Sequence, residues 1–201
     1  MARTQAADYE QRREAIMEKA ADLFAKVGFN GASVSELASA CGVSKSLLYH
    51  YYDSKEAVLH EVMASHIEML SADVAFVVNM KEGALARLRE LVHRFMQHYV
   101  GAANRQKVLL NELANLPEAD RRMVVTTQRK LIEAVQSLLV EIHPSLAGDP
   151  VRARVETMLL FGMINWTHTW FDPAGPISAH ELANMVLERI EQKLTLPPKS
   201  K

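Results

Sequence analysis

The sequence predicts an all-α protein of about nine helices, with a small three-helix head at the N-terminus and a larger helical body behind it. Three observations carry this. Apolar residues recur at the i, i+3, i+4 spacing of a helix in segment after segment, and no stretch reads as strand, repeat or low complexity. Ser or Asp residues followed three places later by Glu mark helix starts at Ser33, Asp53 and Ser178. Gly and Pro punctuate the ends, at Gly28, Gly42, Pro117, Pro150 and Pro197.

In chain order, Met1 to Ala7 reads as a polar arm carrying Arg3. A first helix runs from about Asp8 to Val27, with Ile16, Ala20, Leu23, Phe24 and Val27 in one stripe and Gly28 closing it. Ser33 with Glu36 reads as a capping box, each side chain satisfying a first-turn amide. Val34, Leu37, Ala38 and Cys41 then share one face. Gly42 supplies the residue that can turn to positive φ, and Val43 anchors the turn. Ser44 starts a second helix that can point Leu47, Leu48 and Tyr51 inward. Two short helices, a tight Gly turn and a small apolar interface make a helix-turn-helix. Lys45, Ser46, Tyr49 and His50 occupy its free face, and several are short enough to reach a phosphate or a base edge.

Asp53-Ser54-Lys55-Glu56 opens a fourth helix extending to about Val78, with Ala57, Val58, Val62, Ile67 and Leu70 along it. The domain boundary is expected near Ser54, giving a head of residues 1–53 and a body of residues 54–201. The next helix, Lys81 to Ala102, carries Leu85, Leu88, Leu91, Val92, Phe95, Met96 and Tyr99 inward and Arg87, Arg89 and Arg94 outward. Asn104 to Asn115 is a short helix, and Pro117 opens a long one to about His143. After the break at His143–Gly148, Asp149 and Pro150 serve as N-cap and first helical residue. Val151 to Phe171 is apolar almost all round in its second half, which predicts burial on all sides. A Pro/Gly loop leads to Ser178 and Glu181, and the last helix runs to Leu196 before Pro197-Pro198. The last two helices are expected to pair with their copies as a homodimer, Gly162 letting backbones approach.

Composition sets limits on this reading. The chain has 201 residues, 49% hydrophobic and 23% charged, ordinary for a folded soluble protein. Its formal net charge is −1, and Met1 to His60 holds seven Lys or Arg against eight Asp or Glu. DNA binding must therefore rest on placed donors rather than bulk charge, with modest non-specific affinity. The one cysteine, Cys41, excludes an intrachain disulfide and fits a reducing compartment. The N-terminus has no apolar core of signal-peptide type, and Met158 to Ile164 is too short to span a bilayer. A cytoplasmic protein with no membrane partner is expected.

The pieces Gly28-Phe29, Ser33-Val34, Glu36-Leu37-Ala38, Gly42-Val43-Ser44, Leu48-Tyr49-His50-Tyr51-Tyr52 and Lys55-Glu56 follow one another at a spacing that resembles the TetR family of transcriptional regulators. Cys41, Ser46 and Tyr52 depart mildly from its usual Ala, Gly and Phe. The resemblance implies a homodimeric repressor whose recognition helices enter successive major grooves of a palindromic double-stranded operator. Lys45, Ser46 and His50 are the candidates for base-edge contacts. Ser33, Ser44, Tyr49, Tyr51 and Lys55 are the candidates for phosphate contacts, which position the protein without specifying sequence.

Catalysis finds no support: no Gly-rich phosphate loop after a strand, no nucleophile elbow and no HExxH. The eight histidines lack metal-ligand spacing, since His93 and His98 diverge around a helix. No cofactor or metal is expected, only a small-molecule effector. The ten methionines and two tryptophans favour an adaptable apolar pocket, with Met69, Phe95, Tyr99, Leu113, Met163, Trp166 and Trp170 as candidate lining. The Trp166–Trp170 spacing before a Pro-rich loop resembles TetR members that sense acyl-coenzyme A thioesters in fatty-acid, steroid or phenylacetate breakdown. That resemblance implies release by an acyl- or aryl-CoA such as phenylacetyl-CoA, with Arg87, Arg105, Arg89 and Arg94 as candidate partners for its phosphates. The alternative is a regulator of multidrug efflux sensing amphiphilic drugs; a CoA-thioester enzyme is a distant third.

Overall fold

The computed structural model describes the backbone of residues 2–195 and the side chains of residues 9–191. Among the described residues there are nine α-helices and no strand. They are α1 (Ala2–Val27), α2 (Val34–Ala40), α3 (Lys45–Tyr51), α4 (Lys55–Val78), α5 (Ala84–Gly101), α6 (Ala103–Asn111), α7 (Glu118–Ile142), α8 (Pro150–Asn165) and α9 (Ala179–Thr195). Short 3₁₀ turns follow α6, α7 and α8.

Caps expected from the sequence set the starts of α8 and α9, whereas at α4 it is Ser54 rather than Asp53 that caps, its Oγ accepting from the Ala57 amide at 3.0 Å. Asp149 accepts from the Arg152 amide at 2.9 Å with Pro150 as first residue of α8. At α9, Glu181 accepts from the Ser178 amide at 2.8 Å and Ser178 Oγ from the Glu181 amide at 3.1 Å. These bonds lower the Glu181 carboxyl below its ordinary value. Helix α1 starts at Ala2 rather than near Asp8, because Ala2, Arg3, Gln5, Ala6 and Ala7 are strong helix formers. The Arg3 side chain lies outside the described residues.

The chain forms two compact units. The first comprises residues 1–68 and 104–126: α1 to α3, most of α4, α6 and the start of α7. Its core holds Ile16, Ala20 and Phe24 from α1, Leu37 from α2, Leu48 from α3, and Val58, Leu59 and Val62 from α4. The second comprises residues 69–103 and 127–201. There α5 packs along α9, burying Leu88, Leu91, Val92, Phe95 and Met96 with Ala183, Val186, Leu187 and Ile190. The boundary between these two units falls inside α4, between Glu68 and Met69. Buried His66 of α4 bonds buried Gln106 of α6 at 2.7 Å, and such a polar pair holds the two helices in one unit.

Helix α8 is not buried on all sides. Ala153, Thr157, Leu160, Phe161 and Ile164 face the core, whereas Val151, Val155, Met158 and Leu159 are exposed, Val151 at 74%. Both sides are apolar, but the chain supplies a neighbour for only one. Gly162 lies on the open side, where an added Cβ would meet nothing within 4 Å.

Candidate nucleic-acid interface

The region from Ser33 to Lys55 is built from local rules. Ser33 Oγ accepts from the Glu36 amide at 3.2 Å and Glu36 Oε2 from the Ser33 amide at 2.8 Å, closing the capping box. These bonds hold the Glu36 carboxyl low. At the other end of α2, the Gly42 amide donates to Ser39 O and the Val43 amide to Ala38 O, both at 3.0 Å. This is a Schellman motif, and Gly42 at φ 66° takes the left-handed position without a Cβ clash. Ser44 Oγ then accepts from the Leu47 amide at 3.1 Å and starts α3. Buried Leu37, Ala38 and Leu48 hold the two helices together.

On α3, Lys45, Ser46, Tyr49 and His50 are all exposed, Tyr49 at 49%. The four donors expected on the free face thus do share one side of the helix. Ser33 and Ser44 are exposed, but each hydroxyl is engaged as a cap. Their place at helix N-termini leaves backbone amides as the groups able to meet a phosphate. Tyr51 is half-buried, its ring 4.8 Å from that of Tyr9 on α1 and 5.5 Å from His50. The Tyr9–Tyr51 pair fixes α3 against α1, a contact that helical spacing does not reveal.

Lys55 is committed inward. Its Nζ donates to Phe29 O at 2.8 Å and Ala32 O at 2.7 Å, and lies 4.0 Å from the centre of the Phe29 ring. It clasps the α1–α2 turn, where Gly28 has φ 75°, and has one N–H left. Lys55→Met is therefore expected to cost about 1.5–3 kcal/mol of stability, since hydrogen bonds from a charged donor are being removed. A lowered thermal midpoint in the absence of DNA checks this; an unchanged midpoint with weakened DNA binding would instead put the ammonium on phosphate. Beside the clasp, Arg13 donates to Glu61 Oε1 at 2.6 Å and lies over the Tyr52 ring at 5.6 Å. Burial pushes the Tyr52 phenol up, with Arg13 opposing. Burial likewise raises the Cys41 thiol, which makes it a poor nucleophile.

The candidate effector residues separate. Phe95 and Tyr99 are buried, their ring centres 6.0 Å apart, with Phe161 at 6.3 Å from Phe95. Tyr99 borders a recess of about 50 Å³ with Val100, Thr167, His168 and Phe171. His168 Nδ1 meets Asn165 O at 2.7 Å, so it carries the proton and leaves Nε2 as an acceptor. Met69 and Met163 are half-buried. Leu113, also half-buried, and Arg105 belong to the first unit rather than the second. Trp166 and Trp170 are 64% and 59% exposed, on the open side of the chain rather than in its core.

The four candidate cations each have an acid. Arg87 meets Glu141 at 2.6 Å, and Arg89 grips Glu191 through two bonds of 2.9 and 2.7 Å. Arg94 bonds Glu90 at 2.7 Å, approaches Asp73 at 3.4 Å and lies 3.9 Å over the Phe76 ring. Arg105 pairs with Glu14. These partners come from other helices in all but one case, so spacing along one helix could not reveal them. No group of three His, Cys, Asp or Glu able to hold a metal occurs among the described residues, and no described helix is long and apolar enough to cross a membrane.

Comparison with known proteins agrees with this architecture. Residues 16–62 match the family model described as bacterial regulatory proteins, tetR family, and residues 81–192 the tetracyclin repressor-like C-terminal domain. A TetR-family transcriptional regulator from Bordetella parapertussis is similar in structure, with a TM-score of 0.87, 37% identity, and coverage of 92% of this chain and 97% of that one. The transcriptional repressor KstR2 of Mycolicibacterium smegmatis is 25% identical over 186 residues, 88% of this chain and 87% of that protein. AibR, solved in complex with isovaleryl coenzyme A and operator DNA, shares the fold at a TM-score of 0.77 and 24% identity, covering 89% of this chain and 97% of that one.

Proposed function

Because the chain belongs to the TetR family of bacterial regulatory proteins, DNA-binding transcriptional regulators rather than enzymes, we propose that it represses as a homodimer on a palindromic operator and is released by an acyl- or aryl-CoA. The observation that carries the DNA part is the free face of α3, where Lys45, Ser46, Tyr49 and His50 stand exposed together. Two such helices about 34–36 Å apart meet successive major grooves. Lys45, Ser46 and His50 read base edges, while Tyr49 and the first-turn amides of α3 that follow Ser44 hold phosphate. The apolar stripe of α8 supports dimerisation: Val155, Met158 and Leu159 are exposed on it, and Trp166 is exposed where the next turn begins. The protein acts in the cytoplasm, where operator and thioesters both occur.

The effector reading rests on similarity to KstR2 and AibR and on the pattern around Trp166 and Trp170. The recess beside Tyr99 has room for one or two waters, so an acyl group would have to open it. Its phosphates would compete with Glu141, Glu191 or Glu90 for arginines already paired. Binding must favour one conformation by about 1–3 kcal/mol to release DNA. The test is titration of the operator complex with a panel of CoA thioesters: at least one aryl or medium-to-long acyl member is expected to release DNA. Release by amphiphilic drugs and dyes, with no thioester active, would establish the efflux-type alternative.

A further inference from the structure

We infer that His93 of α5 and His180 of α9 form a proton-operated clasp, holding the start of α9 on α5 while uncharged and loosening when both rings are protonated. The two rings are stacked, their centres 4.1 Å apart and their planes 18° from parallel. Neutral imidazoles gain from this contact, whereas two imidazolium ions so close repel. The rings differ in surroundings. His180 is exposed and lies in the first turn of α9. His93 is half-buried, its Nδ1 is sealed from water without a hydrogen-bond partner, and Asn184 of α9 favours its charged form more weakly than burial and His180 oppose it.

The charges around the pair do not cancel this effect. On α5, Glu90 favours a proton on His93 and Arg89 opposes it, but each acts more weakly than burial and His180. Arg89 is itself held by Glu191 of α9, and Glu90 by Arg94. Glu181 lies beside His180, its carboxylate engaged by Ser178. The 3₁₀ turn Trp166–Thr169, also packed on α5, brings His168, whose Nδ1 is bonded to Asn165 O. Desolvation and His180 thus hold His93 below the ordinary histidine value. A group so depressed contributes stability above the unfolded value of about 6.5, and that stability is lost as pH falls through the folded value. Charging both rings would place two cations 4.1 Å apart, one of them on half-buried His93. Acid therefore acts on the seating of α9 itself.

His180→Phe keeps a stacked ring that cannot charge, which isolates the clasp from other acid effects, including the half-buried His143 imidazole, also held low by burial. The thermal midpoint of the wild-type chain is expected to fall more than that of His180→Phe between about pH 7.5 and about pH 5. In the wild type, the His93 imidazole resonances followed by NMR should titrate below the ordinary histidine value. Equal pH dependence in both proteins, or His93 titrating at or above the ordinary value, overturns the inference. A further effect on operator affinity rests on the homodimer reading. If acid destabilises the wild type selectively but leaves dimer and operator binding alike in both proteins, the clasp stands and α9 is not part of the dimer contact.

Discussion

Leu159→Arg is expected to abolish operator binding while leaving the chain folded. Leu159 is exposed on the open side of α8, so in a single chain the guanidinium reaches water and costs little. In a two-fold dimer the same change is made twice, on surfaces that face each other. Like charges brought together in an apolar contact cost about 3 kcal/mol or more, which is about a hundredfold or more in the dimer dissociation constant. Sedimentation should then give a monomer, circular dichroism should remain helical, and gel shifts should lose the specific complex. A variant that stays dimeric would show that the chain pairs through another surface. Gly162, four residues from Met158 and Trp166, offers a second probe, because nothing in its own chain resists a larger side chain there.

The second large effect is expected on α3, where two neighbouring residues should fail in different ways. Tyr49→Ala should weaken binding to every DNA sequence by a similar factor and reduce discrimination little, as loss of a phosphate contact does. His50→Ala should cost about 1–3 kcal/mol on the preferred operator and much less on a sequence altered at the position it reads. Binding measured on a library of randomised half-sites separates the two. If Tyr49→Ala changes the preferred sequence and His50→Ala does not, their roles are exchanged. Neither change should lower stability, since both side chains are exposed and neither belongs to the cores of the head.

The head was legible because its structure is dictated within a few residues. Ser33 finds Glu36 one turn away, Gly42 meets a backbone angle that disfavours other residues, and Ser44 caps the helix that follows it. What the sequence could not yield depends on where long side chains end up and on what lies opposite. Lys55 has a stem able to reach either a phosphate or the carbonyls of Phe29 and Ala32, and only the tertiary fold selects the carbonyls. Arg87, Arg89 and Arg105 read as free cations until Glu141, Glu191 and Glu14 arrive from distant segments. The second half of α8 is apolar almost all round, which predicts burial only if a neighbour exists on each side. Tyr9 against Tyr51 and His93 against His180 are meetings between helices far apart in the chain, invisible to periodicity.

The position of the two tryptophans gives the protein an optical property. The sequence contains only Trp166 and Trp170, and both indoles lie more than half open to solvent next to α8. Neither reports on the head or on the packed interior. In a single chain their emission should resemble that of indole in water and be readily quenched by iodide. Whatever covers this face will shift that emission toward the blue and shield it, so ultraviolet fluorescence follows the surface without any label.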